Sequence, residues 1–235
     1  MLRPVRVEGA PEGAEAPGDG LTPAPAVLHG PVGPVLSALR FLFAAGDDAW
    51  GEPPDAPGVG ERRAHADAAV LLCRTVASLR SDEPEARALL ALLLLRHARR
   101  DARADGAPRT LAEQDRSLWR QDEIAEGRRV LEGALAAGRP GPYLVAAAIE
   151  AMHDEAPTAA DTEWDEILAL YDVLAGMTPS PRVALERAVA RGMAHGVQVG
   201  LVALDELTGS AGLDAQLAAA RAELLRAGPG ETPRV

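Results

Sequence analysis

An all-α fold, an array of antiparallel helix pairs with about nine helices, is the class this sequence predicts. Three observations carry that expectation. Hydrophobic residues make up 47% of the 235-residue chain, and much of that is Ala, with Leu and Val supplying most of the bulk. Small apolar side chains favour helix and let helices approach closely, whereas the β-branched residues a sheet would need are sparse and scattered. Apolar positions recur at helical rather than alternating spacing between Pro/Gly-rich breaks.

The periodicity places helices near 33–45, 61–80, 83–102, 119–138, 142–155, 161–176, 180–195, 197–208 and 213–227. Residues 1–31, rich in Pro, Gly, Ala and Glu, read as a disordered leader, and 229–235 as a flexible tail flanking a helical domain over 32–228. A second break, "WGEPPDAPGVGE" (50–61), separates the first helix from the rest. Gly138, Gly176 and Gly228 follow apolar turns as C-terminal caps do. Ser180 followed by Pro181 makes a helix start, and Asp161 or Thr162 is expected to cap the helix carrying Trp164. The third helix, "EPEARALLALLLLRHARRDAR", is apolar nearly all round, so it should be central, with neighbours on several sides.

Charge and cysteine usage exclude several functions. Net charge is −11, with no Lys and no Asn, so every one of the 24 basic side chains is Arg. An acidic chain without a basic face is a poor binder of phosphate backbones, so direct nucleic-acid contact is not expected. The single cysteine, Cys73, rules out an intrachain disulfide and fits a reducing cytoplasm. No apolar run reaches the length of a membrane span.

The later helices repeat. Leu170 in "ILALYDVLAG" and Leu204 in "VGLVALDELTG" lie about 34 residues apart, the period of tetratricopeptide repeats. Leu131 in "RVLEGALAAG" has a similar setting, and an Ala-rich second helix follows each segment. The array therefore resembles tetratricopeptide repeats, and its concave face is expected to be lined from the third and fourth helices onward.

A family resemblance covers roughly residues 32 to 226. The core "QDRSLW", then "GPY", then "DTEWDEILALYDVLAGMTPSPRVALERAVA", in this order, resembles the C-terminal extension of one group of extracytoplasmic-function RNA polymerase sigma factors. Members carry such a helical domain behind their two sigma domains. The resemblance implies a stand-alone domain lacking those modules, hence not itself a promoter-binding sigma factor. Two local departures stand out. The first helix runs into "FLFAAGDDAW" where the family has an Asn-Glu-Gly-Tyr-like turn, and Glu186 stands where the family has Asn in "ALNRAVA".

Candidate functional residues cluster around "AEQDRSLWRQDEIAEG" (112–127). Trp119 lies five residues before Ile124, about 140° off the stripe of Ile124, Gly127, Leu131 and Leu135. Either the helix begins after Trp119, or the ring faces a second surface; packing on a neighbouring helix is the favoured reading. Arg96, Arg99, Arg100 and Arg103 recur as one basic stripe at a helix C-terminus, where Glu113 or Asp115 could pair with them. His97 on the apolar stripe reads first as a buried, hydrogen-bonded histidine; desolvated beside Asp115 or Glu113, it would instead be the best general acid/base candidate in the chain. Glu150 and His153 form a single Glu-x-x-His where a di-iron site needs two, so His153 is expected in a seam with Tyr143 or Trp164.

Two functions are expected, the first implied by the resemblance and the lack of a complete catalytic signature, the second by these residues. The first is a protein-interaction or regulatory module that binds a partner such as a sigma factor or RNA polymerase. The second is a repurposed cofactor-independent enzyme, cyclase-like or acid/base, or a small-molecule binder in bacterial secondary metabolism. The second would use Asp115 and His97 as catalytic groups. Ligand or partner contacts are expected from Arg96, Arg99, Gln114, Arg116 and Trp119 on one side. His153, Trp164, Tyr171 and Glu186 would supply the other. No metal or cofactor is called for.

Overall fold

The computed structural model describes residues 32–107, 109–209 and 212–227, and within them the fold is an all-helical array. The Pro/Gly-rich leader, the 229–235 tail and Gly228 lie outside the described residues. The helices are α1 (Gly33–Asp47), α2 (Val59–Leu79), α3 (Pro84–His97), α4 (Gln121–Leu135), α5 (Pro142–Glu155), α6 (Trp164–Met177), α7 (Pro181–His195), α8 (Val197–Asp205) and α9 (Asp214–Ala227). Each packs on its successor, and α1 on α3, α3 on α5 and α7 on α9 give a second, inner layer of contacts. Leu131, Leu170 and Leu204 fall on α4, α6 and α8, the outer helices of three successive pairs.

Two apolar cores hold the array. The larger runs from α1 to α6 around α3, whose Leu89 and Leu92 to Leu95 have no solvent exposure. α3 touches α1, α2, α4 and α5, so its all-round apolar surface is consumed by neighbours on four sides. The smaller core joins α7, α8 and α9 through Leu185, Leu204, Leu217 and Leu224. Helix α7 belongs to both, with Val183 and Ala190 turned to the first.

Helix starts follow local chemistry. The Ser180 hydroxyl accepts the Val183 N–H at 3.1 Å, and Pro181 takes the first helical position. Helix α5 starts with Pro142 and is capped from a distance: the Tyr143 and Leu144 N–H groups donate to the Glu85 carboxylate of α3 at 2.9 and 3.2 Å. Gly141 makes room for that carboxylate, since a Cβ there would lie 2.3 Å from the Glu85 Cδ. Gly46 has the same role at the end of α1, where a Cβ would meet the Ala66 backbone nitrogen of α2 at 2.3 Å. This close approach fixes the position of the next residue, Asp47.

Three expectations are corrected. Neither the Asp161 nor the Thr162 side chain caps α6: the Asp161 carboxylate takes the Thr158 N–H at 3.1 Å in the preceding 3-10 turn, and α6 begins at Trp164 after Glu163. Gly176 lies inside α6 rather than ending it. The third helix stops at His97 instead of 102, because the Arg100 guanidinium donates to the His97 carbonyl at 2.6 Å and the chain tightens into a 3-10 turn, Arg100–Arg103.

Candidate functional site

The segment between α3 and α4 crosses the inner layer of the array. It carries further 3-10 turns at Leu111–Glu113 and Arg116–Leu118. Arg116 ties it to the end of α5, donating to the His153 and Ala156 carbonyls at 2.9 and 2.7 Å. Glu113 reaches Arg226 of α9 at 3.3 Å. Beneath this strap lies a cleft with two lobes that share Thr110, Leu111, His153, Trp164 and Glu223 in their walls.

The first lobe, about 300 Å³, is polar and is walled by α1, α3, α5, α6, α7 and α9. The second, about 410 Å³, is more apolar and adds Ala112, Ala159, Met193 and Ala227. The deep wall of the first lobe is an ion-pair network. Arg96 binds Asp47 at 3.0 Å and Glu150 at 3.3 Å, and Arg99 binds Glu150 and Asp154, both at 2.8 Å. Arg103 completes it by pairing with the second oxygen of Asp47. Charges this deeply placed are tolerated because they answer one another.

The network sets the local titration. Burial works against the Asp47 anion, but Arg103 and Arg96 outweigh it and hold its carboxyl well below the usual range. Burial is likewise outweighed at Glu150, where Arg99 and Arg96 bring the carboxyl down to about 2. Asp154 goes the other way, to about 6: burial dominates although Arg99 holds one oxygen, and the other oxygen has no partner. The His153 imidazole is pushed down to about 4 by burial and by Arg99, so it is neutral at physiological pH, its ring edge-on to Trp164 with centroids 5.3 Å apart.

A stability profile follows with a worked sign. Asp47, Glu150 and Glu123 (also lowered to about 2) have depressed folded pKa values, so their contribution is present above about pH 4.3 and lost as pH falls toward their folded values. Asp154, Glu85 and Glu223 are raised, to about 6, 7 and 7, so their contribution is full below about pH 4 and lost as pH rises through those values. His153 opposes them, losing its contribution as pH falls from 6.5 to about 4. Three carboxyls outweigh one imidazole, so urea unfolding should require more denaturant at about pH 5 than at about pH 8, and far less below about pH 3.

The structure brings together most of the sequence-derived ligand contacts. Arg96, Arg99, Gln114, His153, Trp164, Tyr171 and Glu186 line the first lobe, and Arg116, His153 and Trp164 the second. Trp119 does not line either lobe. It is 4% exposed and has two guanidinium groups over its ring, Arg116 at 4.4 Å and Arg99 at 5.3 Å from the centroid. Helix α4 begins after it, at Gln121.

The catalytic pairing of Asp115 with His97 is corrected. Asp115 is exposed and caps its own turn, accepting the Ser117 N–H at 2.9 Å. His97 lies on the other side of α3, its ring nitrogens bonded to Asp67 of α2 at 2.9 Å and Glu123 of α4 at 3.0 Å. The arginine stripe is also divided. Where α3 stops, Arg100 turns to Glu123 at 2.6 Å while Arg96, Arg99 and Arg103 face the cleft, so neither Glu113 nor Asp115 is their partner.

Sequence reasoning missed Asp47, Arg109, Arg182 and Glu223 as cleft residues. The "GDDAW" departure was the one available signal for Asp47. Glu150 was weighed only as half of a metal motif. In the fold it bridges two arginines, and among the described residues no three His, Cys, Asp or Glu side chains gather as a metal site. Among the described residues no helix is long and apolar enough to cross a membrane.

Comparison with known proteins adds sequence relatives. Residues 32–135, α1 through α4, match the model of a family of unknown function (DUF6596). An uncharacterized protein of Rhizobium meliloti (strain 1021) is 42% identical over 143 residues, which is 60% of this chain and 34% of that protein. The chain thus spans about a third of the length of that relative. No solved structure matches. Residues 32–135 supply the Asp47, Arg96, Arg99, Arg103 and strap side of the cleft, so this chain is similar to a family of unknown function along that side of its candidate site.

Proposed function

We propose that the chain is a non-catalytic recognition module whose inner cleft takes a segment of a partner polypeptide in a regulatory interaction. The observation that carries this reading is the two-lobed cleft under the α3–α4 strap, one lobe polar and one apolar, joined at Trp164 and His153. Its deep polar wall is tied up in mutual ion pairs, which suits a rigid recognition surface better than proton transfer. The resemblance to the helical extension of extracytoplasmic-function sigma factors supports the same reading and points to a transcription partner. A small-molecule ligand, as in secondary metabolism, is the second reading, favoured by lobe volumes within the range of ordinary ligand pockets.

Photocrosslinking tests it. A benzophenone side chain at Leu111, in the wall of both lobes, should capture one discrete polypeptide in cells of the native host. The same group at Leu79, 76% exposed at the end of α2, should not capture it, and Met193→Glu in the cleft should abolish capture at 111. Equal capture at 79 and 111 removes the proposal; a small-molecule adduct alone at 111 favours the second reading.

A further inference from the structure

The charges around the cleft cancel in pairs, and the cancellation leaves one arginine, Arg116, and one carboxyl, Glu223, outside any ion pair among the described residues. Arg96, Arg99 and Arg103 are answered by Asp47, Glu150 and Asp154. At the rim, Arg182 binds Glu186 at 2.8 Å, Arg109 binds Asp105 at 2.6 Å and Arg226 binds Glu113. Arg116 sits on the carbonyl end of α5, where the helix dipole is negative. Glu223 of α9 has no ion pair or hydrogen bond among the described residues, although it lines both lobes at their junction. Burial, with Glu186 and Glu113 nearby, pushes its carboxyl up to about 7.

A second, independent feature lies in the same lobe. Tyr171 is 9% exposed and lines the polar lobe, and its hydroxyl makes no hydrogen bond among the described residues. The hydroxyl keeps some solvent contact, so it opens into the lobe, where a ligand can bond to it. The Gln114 side-chain oxygen, also in the wall, is a buried acceptor without a donor. The uncommitted groups are therefore one carboxyl, one amide oxygen and a hydroxyl able to accept, while every arginine lining the cleft has a bonding partner.

Resting on the binding role proposed above, we infer that the cleft recognises an alkyl cation, an ammonium or guanidinium group. The charged head sits at Glu223 and Tyr171, and the apolar stem lies in the second lobe against Leu111, Trp164 and Met193. An ammonium brings three donors and no acceptor, the complement of this set. Trp164, an aromatic side chain in the wall of both lobes, is of the kind that attracts cations, and the chain's charge of −11 draws positive ligands toward it. The same head group is carried by a lysine or arginine side chain and by a free amine.

Calorimetric titration of the full chain at low salt tests this with hexylammonium, hexanol and hexanoate as probes. Hexylammonium should bind, hexanoate should not, and Glu223→Gln should weaken hexylammonium about tenfold while melting as the wild type does. Tyr171→Phe should weaken it by a smaller factor. Short Leu-Lys peptides, with and without an acetylated lysine, separate the sources. Tighter binding of the free-lysine peptide than of hexylammonium assigns the cation to a polypeptide, and the reverse assigns it to a small amine. Hexanoate binding as well as hexylammonium, an unchanged Glu223→Gln, or no binding of any cation overturns the inference. Loss of hexanol or hexanoate binding in Met193→Glu would meanwhile keep the cleft as a binding site, and polypeptide crosslinking at Leu111 decides the module reading separately.

Discussion

Asp47→Ala is expected to lower the unfolding free energy by about 3–5 kcal/mol, the cost of breaking a buried ion pair from one side. The Asp47 side chain is 2% exposed and is the acceptor shared by Arg96 and Arg103. Its removal leaves the Arg103 charge buried without a carboxylate, while Arg96 keeps Glu150. Urea unfolding at neutral pH checks the value, and an unchanged m-value shows that the folded state has kept its compactness. The double variant Asp47→Leu/Arg103→Leu should recover most of the loss, since an apolar pair of similar volume replaces the ions at little net cost. A loss under about 1 kcal/mol in the single variant would place Asp47 among ordinary surface ion pairs and dissolve the network described above.

Trp119→Ala should cost about 3–5 kcal/mol, as large aromatic truncations in cores do. The ring is in the main core and makes cation–ring contacts with two guanidinium groups, Arg99 and Arg116. Its indole nitrogen has no hydrogen-bond partner, so Trp119→Phe forfeits area but no polar contact and should cost only about 1 kcal/mol. Because Arg116 also caps α5 and holds the strap, Trp119→Ala should speed amide exchange at Arg120, whose N–H donates to the Ala98 carbonyl, and around 110–118. Equal costs for Phe and Ala would mean that the cation–ring stacking contributes nothing.

Much of the scaffold is legible in the sequence because its causes are local. Apolar spacing within a dozen residues marks each helix, Pro181 after Ser180 marks a start, and six leucines in one helix require neighbours all round. Paired helices at a period of about 34 residues then imply an inner and an outer layer. Boundaries held to within a few residues except at α3, where the end is decided by a contact. The Arg100 guanidinium takes the His97 carbonyl while it also binds Glu123, a residue of the next helix. No periodicity reports that bond.

The candidate site divides along the same line. Helical spacing grouped Arg96 with Arg99, and His153 with Trp164 came from a seam argument; both pairs share the cleft wall. The acid/base pairing of His97 with Asp115 was drawn from proximity in sequence. In the fold, Asp67 and Glu123 reach His97 first, from α2 and α4. Asp47, 49 residues from Arg96, had no local signal beyond an unusual turn.

By itself, then, the sequence determined the fold class, the helix starts, the central place of α3 and the supply of arginine and carboxylate on the inner helices. Those properties depend on residues within one or two turns of each other. Tertiary structure alone decided which carboxylate answers which arginine, where α3 stops, and that the strap from α3 to α4 encloses a two-lobed cleft. The physical reason is that ion pairing at low dielectric depends on distances between groups far apart in the chain, and the unpaired carboxyl of Glu223 stands out only once the other carboxylates lining the cleft have found their arginines.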